Sequence, residues 1–449
     1  MKKNKTIGRR EFLKKTAVGV GAAIVAPTIL PSCEVDRDDH LRLAHIGVGS
    51  RGMNELNNYF LPLESARSVA TCDVWKDRRE KAKDLITEYY KENSIKAPDV
   101  KTYLDFEEIL ERDDIDAVVI NTPDHWHVPV SIKAARAGKH VYVAKPLGLS
   151  YPNYKILEKE MAANNVHFHY GTQQRAQQHM KVGIDMIKEG KIGEIERVEV
   201  WCPGKNPVEN PTCSEVAPPR EFDFDRWTGP APLNHYCPDR VTNNSSWFQY
   251  DYSIGFLAGW GAHPLDIMVW ALKDKVNGVY SCEGTGKFWG EDGIYDNIFS
   301  WDLNYKYQSG LEVHFVSLDV AEQQGMLEDP EREDGNGTTF YGSKGYISLS
   351  RGEAQSDIPE LNQKLKETPM SGANKMGQMF VDIIAGKIEE TCPLDDAIIS
   401  DTISHMGDIA IRSDRKVTWN PQHGEVVDDP EANSLYIRKM RPPYTVKEG

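Results

Sequence analysis

A glycine-rich turn, set between a short apolar run and a helix-like stretch, constrains this chain more than any other feature. Leu41–Ile46 is followed at once by Gly47-Val48-Gly49-Ser50-Arg51-Gly52, and a helical pattern runs on to about residue 61. Gly47 permits a tight turn, Gly49 lets a pyrophosphate approach the backbone, and Gly52 allows close helix–strand packing. With Ser50 and Arg51 in the same turn, the first N–H groups of the helix offer an anion cradle. Residues 68–72 read as the next strand. Asp73 ends it, 26 residues after Gly47. A carboxylate there can accept hydrogen bonds from a ribose 2′-OH and would repel a 2′-phosphate. NAD is therefore favoured over NADP, although Arg78 and Arg79 lie close enough to keep NADP open. Asp73 could instead cap the helix predicted over 75–93.

The alternation continues. Helix 105–112 leads to strand 115–121, helix 129–137 to His140–Val143, and Tyr151–Asn164 to strand 166–170. Such alternation implies an α/β fold with a doubly wound parallel sheet, here over residues 41–172, whose ligands bind beyond the carboxyl ends of the strands. Two motifs fall at such ends, Asn121-Thr122-Pro123-Asp124-His125-Trp126-His127 and Ala144-Lys145-Pro146. From residue 173 to 449 a helix over 179–189 precedes strand-like runs at 195–201, 278–282, 297–303, 311–318, 338–341 and 346–349. Residues 203–250 form a proline- and aromatic-rich insertion with Trp227, Tyr236, Trp247 and Phe248, readable as a saccharide wall, a plain loop core or an oligomer contact. Residues 323–336 are acidic and read as a surface loop.

Composition narrows the classes. The 449 residues are 40% hydrophobic and 27% charged, with a net charge of −15. This is a globular composition, which excludes intrinsic disorder and a polytopic membrane protein. So acidic a chain lacks the basic face that nucleic acid requires. The N-terminus has the opposite character. Lys2, Lys3, Lys5, Arg9, Arg10, Lys14 and Lys15 face only Glu11, and an apolar stretch follows over 16–30. Residues 1–32 therefore read as a secretory signal, and Arg9-Arg10-Glu11-Phe12-Leu13-Lys14 resembles the twin-arginine type, which exports folded proteins. Leu30-Pro31-Ser32-Cys33 resembles a lipobox. Lipidation of Cys33 would anchor the chain at a membrane; simple cleavage would release it to the periplasm. Residues 33–40 are then a linker. Cys202, Cys213 and Cys237 could pair outside the cytosol, with unreadable connectivity, whereas Cys72 and Cys282 read as core.

These motifs together resemble the glucose–fructose oxidoreductase, inositol dehydrogenase and MocA family (Gfo/Idh/MocA). The resemblance rests on Gly47–Gly52, Asn121–His127, Ala144-Lys145-Pro146, Gly171-Thr172-Gln173-Gln174-Arg175, and Gly259-Trp260-Gly261-Ala262-His263-Pro264-Leu265-Asp266, and covers nearly all of the mature chain. It implies a Rossmann domain followed by an α+β domain with a large, open, mainly antiparallel sheet, a dinucleotide between them, and a homo-oligomer. It also implies that Lys145 contacts cofactor and reacting oxygen, and that His263 is the general base. Asn121, Thr122, Pro123, His125, His127 and Gln173 would line the cofactor; Arg175, His179, Trp260 and Asp266 the substrate. Two departures stand out. The family's glutamate before the lysine is Ala144 here, and the aspartate four residues before the histidine is Gly259. No metal is expected, since no cysteine or carboxylate set completes a cage around His125 and His127.

The leading expectation is an NAD-dependent oxidoreductase acting on a secondary hydroxyl of a sugar or glycoside, with a tightly bound, recycled cofactor. The alternative is an NAD-dependent glycosidase or lyase working by transient oxidation at C3. A non-catalytic sugar-binding relative is the third, motivated by Ala144 and Gly259.

Overall fold

The computed structural model describes residues 40–96, 99–204, 209–242, 244–290, 292–326 and 335–447. The N-terminal signal-like segment, Cys33 and residues 327–334 of the acidic run lie outside them.

Ala-Val-Val-Ile over Ala117–Ile120 (β4) is buried at every position, as a strand covered on both faces must be. It pairs in parallel with Leu41–Ile46 (β1) and with His140–Val143 (β5). Outward from these lie Ala66–Cys72 (β2), Lys101–Tyr103 (β3) and Phe168–Tyr170 (β6), giving the parallel order β3-β2-β1-β4-β5-β6. This is the doubly wound sheet expected, and the crevice at its centre opens where the order reverses beside β1. The three-residue β3 gave no sequence signal.

The helix expected from residue 129 begins five residues earlier, at Asp124–Arg136, with Pro129 inside it. Proline favours a first helical turn, which is why the sequence suggests a start there. Here it lies in the second turn and forgoes one backbone hydrogen bond. The earlier start brings Asp124, His125 and His127 onto a helix.

The second sheet has nine strands. Ile195–Cys202 (β7) pairs in parallel with Glu312–Ser317 (β10), and the remaining pairings are antiparallel. The mainly antiparallel open sheet is as expected. Helices Gln178–Lys188, Ala262–Val276 and Leu394–Arg412 cover one face. The other carries paired charges such as Lys306 with Glu312 and His314 with Asp302.

The insertion folds onto the first domain as a strap. Phe222, Phe224, Trp227, Tyr236 and Tyr252 form their own apolar cluster. The Trp75 and Phe222 rings stack at 4.0 Å, while Lys76 N donates to Glu221 O and Asp223 N to Val74 O. Arg226 pairs with Asp105 at 2.6 Å. The C-terminal tail grips the same strap through Arg441 and Tyr444, both bound to Asp225. A disulfide joins Cys213 to Cys237 across it. Cys202 is instead a buried thiol, as are Cys72 and Cys282.

Candidate active site

Gly47 has φ +82°, and a Cβ there would stand 2.6 Å from the Asn121 backbone. A Cβ on Gly52 would sit 2.1 Å from the Gly47 carbonyl oxygen. Both positions therefore exclude side chains. A Cβ on Gly49 would meet only Arg78 Nη1, at 3.4 Å, so its backbone faces open space. Asp73, 8% exposed, accepts from Val48 N and Trp75 N, one bond per oxygen, each 2.9 Å long. Burial raises its pKa, and the charge of Arg78 opposes that. A cleft of about 560 Å³ runs past Gly47, Gly49, Ser50, Arg51 and Asp73, then past Asn121, Thr122 and Pro123. The strap supplies the facing wall with Arg226, Trp227 and Trp247. Length, glycine turn and carboxylate fit an extended dinucleotide.

The Lys145–Pro146 peptide is cis. Lys145 Nζ donates to the Gly259 carbonyl and lies 5.0 Å from the Trp247 ring centroid and 5.6 Å from that of Trp260. Burial, reinforced by the charge of Arg51, lowers the Lys145 pKa to about 7. His263, 1% exposed, begins the helix Ala262–Val276. Burial and the charges of Lys145, Arg351 and Arg51 hold its pKa well below 6.5. The Arg351 guanidinium stands over the other side of the cluster, 5.2 Å from the Trp260 ring. Glu55, fully buried, pairs with Arg51 at 2.6 Å and accepts from Asn121 Nδ2.

Comparisons with known proteins agree with this geometry. An oxidoreductase-family model for the NAD-binding Rossmann fold matches residues 41–172, and the family's C-terminal alpha/beta domain model matches 204–446. The chain belongs to the Gfo/Idh/MocA oxidoreductase family. An alpha-N-acetylgalactosaminidase from Shewanella oneidensis is 30% identical over 221 residues, which are 42% of this chain and 44% of that protein. The match thus spans less than half the length of such curated relatives. Among solved structures, scyllo-inositol dehydrogenase from Lactobacillus casei, with bound NAD(H) and scyllo-inositol, superposes with TM-score 0.59 at 16% identity, covering 84% of this chain and 99% of that one. The WlbA dehydrogenase from Bordetella pertussis, in complex with NADH and UDP-GlcNAcA, gives 0.61 at 16%, covering 85% and 98%.

Family membership sets the departures in relief. Lys145 has no carboxylate at position 144 or 259; the Gly259 carbonyl receives its ammonium instead. A Cβ at 259 would meet nothing nearer than Trp247 Cε2 at 3.9 Å, so the space of the family's aspartate persists without its charge.

Several sequence-based assignments need correction. Arg175 and Asp266 do not face substrate. Arg175 holds Asp266 by two bonds of 2.6 and 2.7 Å and also binds Asp396 and the Thr391 carbonyl, while Thr172 Oγ1 donates to Asp266. Such a saturated guanidinium ties the chain after β6 to the helices Ala262–Val276 and Leu394–Arg412. His179 is fully buried against the Ser350 carbonyl. His125 and His127 are buried and bonded to backbone carbonyls. His125 Nε2 meets the Trp227 carbonyl at 3.0 Å, and burial lowers its pKa to about 4. The His127 ring bridges the Thr122 and Pro146 carbonyls at 2.8 and 2.7 Å, fixing the two loops that carry Thr122 and Lys145. Gln173 is buried in a 3₁₀ turn. Trp260 remains beside Lys145. Nothing in the sequence marks Glu55 or Arg351 as site residues, since a lone acid in a polar helix and an arginine after a strand carry no motif, and nothing separates Asp124 from its neighbours in the motif Asn121–His127. Among the described residues no three metal-binding side chains converge, and no helix is long and apolar enough to cross a membrane.

Proposed function

We propose that this chain is an NAD-dependent oxidoreductase acting on a secondary hydroxyl of a sugar or glycoside, with Lys145 as the proton acceptor. One observation carries the assignment: Lys145 Nζ stands 5.0 Å from the ring of Trp247, which lines the cleft, and burial there lowers its pKa to about 7. A general base works best when its pKa matches the working pH. The nicotinamide, when bound, accepts the hydride of the carbinol carbon and can return it. Gly47, Gly49 and Ser50 would hold its pyrophosphate and Asp73 its ribose. We place His263 differently from the general base that the family resemblance implies: burial first, with the charges of Arg351 and Arg51, keeps it neutral and a weak base, and its part is to hydrogen-bond the reacting oxygen. Trp247 and Trp260 give flat apolar surfaces that suit the C–H face of a sugar.

The strap over the adenosine end favours a dinucleotide that stays through many turnovers. A resident cofactor makes the redox-neutral alternative attractive. There the substrate carbon is a ketone only transiently: the neighbouring C–H is acidified and loses its proton, the aglycone leaves, water adds in its place, and the hydride returned from the cofactor restores the hydroxyl. The partial similarity to an alpha-N-acetylgalactosaminidase supports this second reading. Protein purified without added nucleotide should release stoichiometric NAD or NADH on denaturation, read by mass spectrometry. No dinucleotide, and none taken up on addition, overturns both enzymatic readings. A free sugar as product selects the second reading; a keto sugar selects the first.

We further propose export by the twin-arginine route, either to the periplasm or to a membrane through lipidated Cys33. The Cys213–Cys237 disulfide supports an oxidising compartment. A homo-oligomer through the uncovered face of the nine-stranded sheet follows the family pattern. Mass spectrometry of the mature N-terminus tests the first point, and a monodisperse monomer in light scattering would remove the second.

A further inference from the structure

We propose that Asp124 is a positioning residue for the proton acceptor Lys145 and acts through the indole of Trp247, replacing the carboxylates absent at 144 and 259. This assignment rests on the reading of Lys145 given above. Asp124 is 3% exposed and lies in the first turn of Asp124–Arg136, where the helix dipole favours a negative charge. Its two oxygens have separate partners. Oδ2 accepts from Ser253 Oγ at 2.7 Å, and Oδ1 accepts from Trp247 Nε1 at 3.2 Å. The same Trp247 ring stands 5.0 Å from Lys145 Nζ. An indole that donates its N–H to a carboxylate gains electron density on its face, and that face then attracts a cation more strongly. Asp124 thus affects Lys145 twice, by direct charge and by polarising the ring that holds the ammonium against Gly259 O.

The balance of charge around Lys145 shows why one more anion matters. Arg51 and Arg351 oppose its protonation, from the first helix and from the end of Gly345–Ser350 (β12). Asp124 favours it; the Cys202 thiol at the end of β7 is kept uncharged by burial and adds no anion. Glu55 faces Lys145 as well but is committed to Arg51 and Asn121. His263 stands opposite, neutral. With Ala144 and Gly259 in the family's acidic positions, Asp124 is the only carboxylate among the described residues that both raises Lys145 and touches a side chain in contact with it.

The test reads Lys145 directly, whatever the substrate. Competitive labelling with acetic anhydride across pH, with the Lys145 peptide followed by mass spectrometry, gives its titration midpoint. Wild type should titrate at about 7. Asp124→Asn keeps the shape and the acceptor but loses the charge, so its midpoint should fall by about one pH unit. Trp247→Phe keeps a ring but removes the N–H and should fall in the same direction. Asp124→Glu should stay near wild type. A wild-type Lys145 titrating as an ordinary lysine, near 10.5, would overturn the reading of Lys145 as the base. A wild-type midpoint near 7 that neither Asp124→Asn nor Trp247→Phe moves would overturn the Asp124 assignment alone. If Asp124→Asn fails to fold, Trp247→Phe decides the question by itself.

Discussion

Lys145 departs far from its ordinary chemistry. With its pKa near 7, the fraction able to take a proton rises through neutrality. Oxidation of a hydroxyl should therefore increase with pH and level off above about 8, and the reverse reduction should show the opposite limb. Lys145→Met removes the base while keeping the stem; turnover should fall roughly 10³-fold with dinucleotide content unchanged. Loss of the bound nucleotide in that variant would show that Lys145 binds rather than reacts. Arg175 sits at the other extreme. Its charge is spent on Asp266 and Asp396, and Arg175→Met would leave buried Asp266 without a cation and Asp396 with Lys273 alone. A destabilisation of about 3 to 5 kcal/mol is expected in denaturant titration. An effect confined to substrate KM would restore Arg175 to the substrate site. The sequence points to Arg175 and His179 because polar residues in a motif look functional; only the packing shows that their partners are already inside the protein.

Single elements decide how the cleft is built. The helix Phe256–Gly259 ends on a glycine whose side-chain space is open. Gly259→Asp should fold, because nothing is displaced. It places a carboxylate beside the Lys145 ammonium, favours the charged form, and should move the rise of oxidation rate to higher pH. An unchanged pH profile would mean that position 259 does not reach Lys145. The strand-to-helix turn at 47–52 was legible in the sequence since glycine is forced by steric limits that leave a mark in composition. Strands β1, β4 and β5 were legible as buried apolar runs. The strands β3, Ala354–Ser356 (β13), Val417–Asn420 (β14) and Glu425–Val426 (β15) were not, being short and, unlike β4 and β5, not continuous apolar runs. Nor was Leu394–Arg412: it is buried along most of its length, with Asp396, Asp401 and Asp408 inside, so no polar stripe marks it. Asp124 escaped notice because the start of its helix was masked by Pro129.

Across the whole molecule, the strap supplies one wall of the cleft. It is held on the first domain by the Trp75–Phe222 stack and the Arg226–Asp105 pair, and on itself by Cys213–Cys237. A disulfide closing a loop of 24 residues stabilises by about 3 kcal/mol. Mild reduction should lower the unfolding temperature and speed dinucleotide release, and Phe222→Ala should do the same without reductant. Release rates indifferent to both would detach the strap from cofactor retention. The insertion's aromatic content was visible in the sequence, but its target was not: the residues it covers lie more than a hundred positions away.

A cross-link made of two cysteines stiffens one wall of the cleft and does not bolt it to the other. We propose that a stiff wall slows the exit of whatever it covers. Each molecule would then carry one dinucleotide for life, as it would a prosthetic group. Its activity would answer to how it was assembled and not to the nucleotide concentration around it.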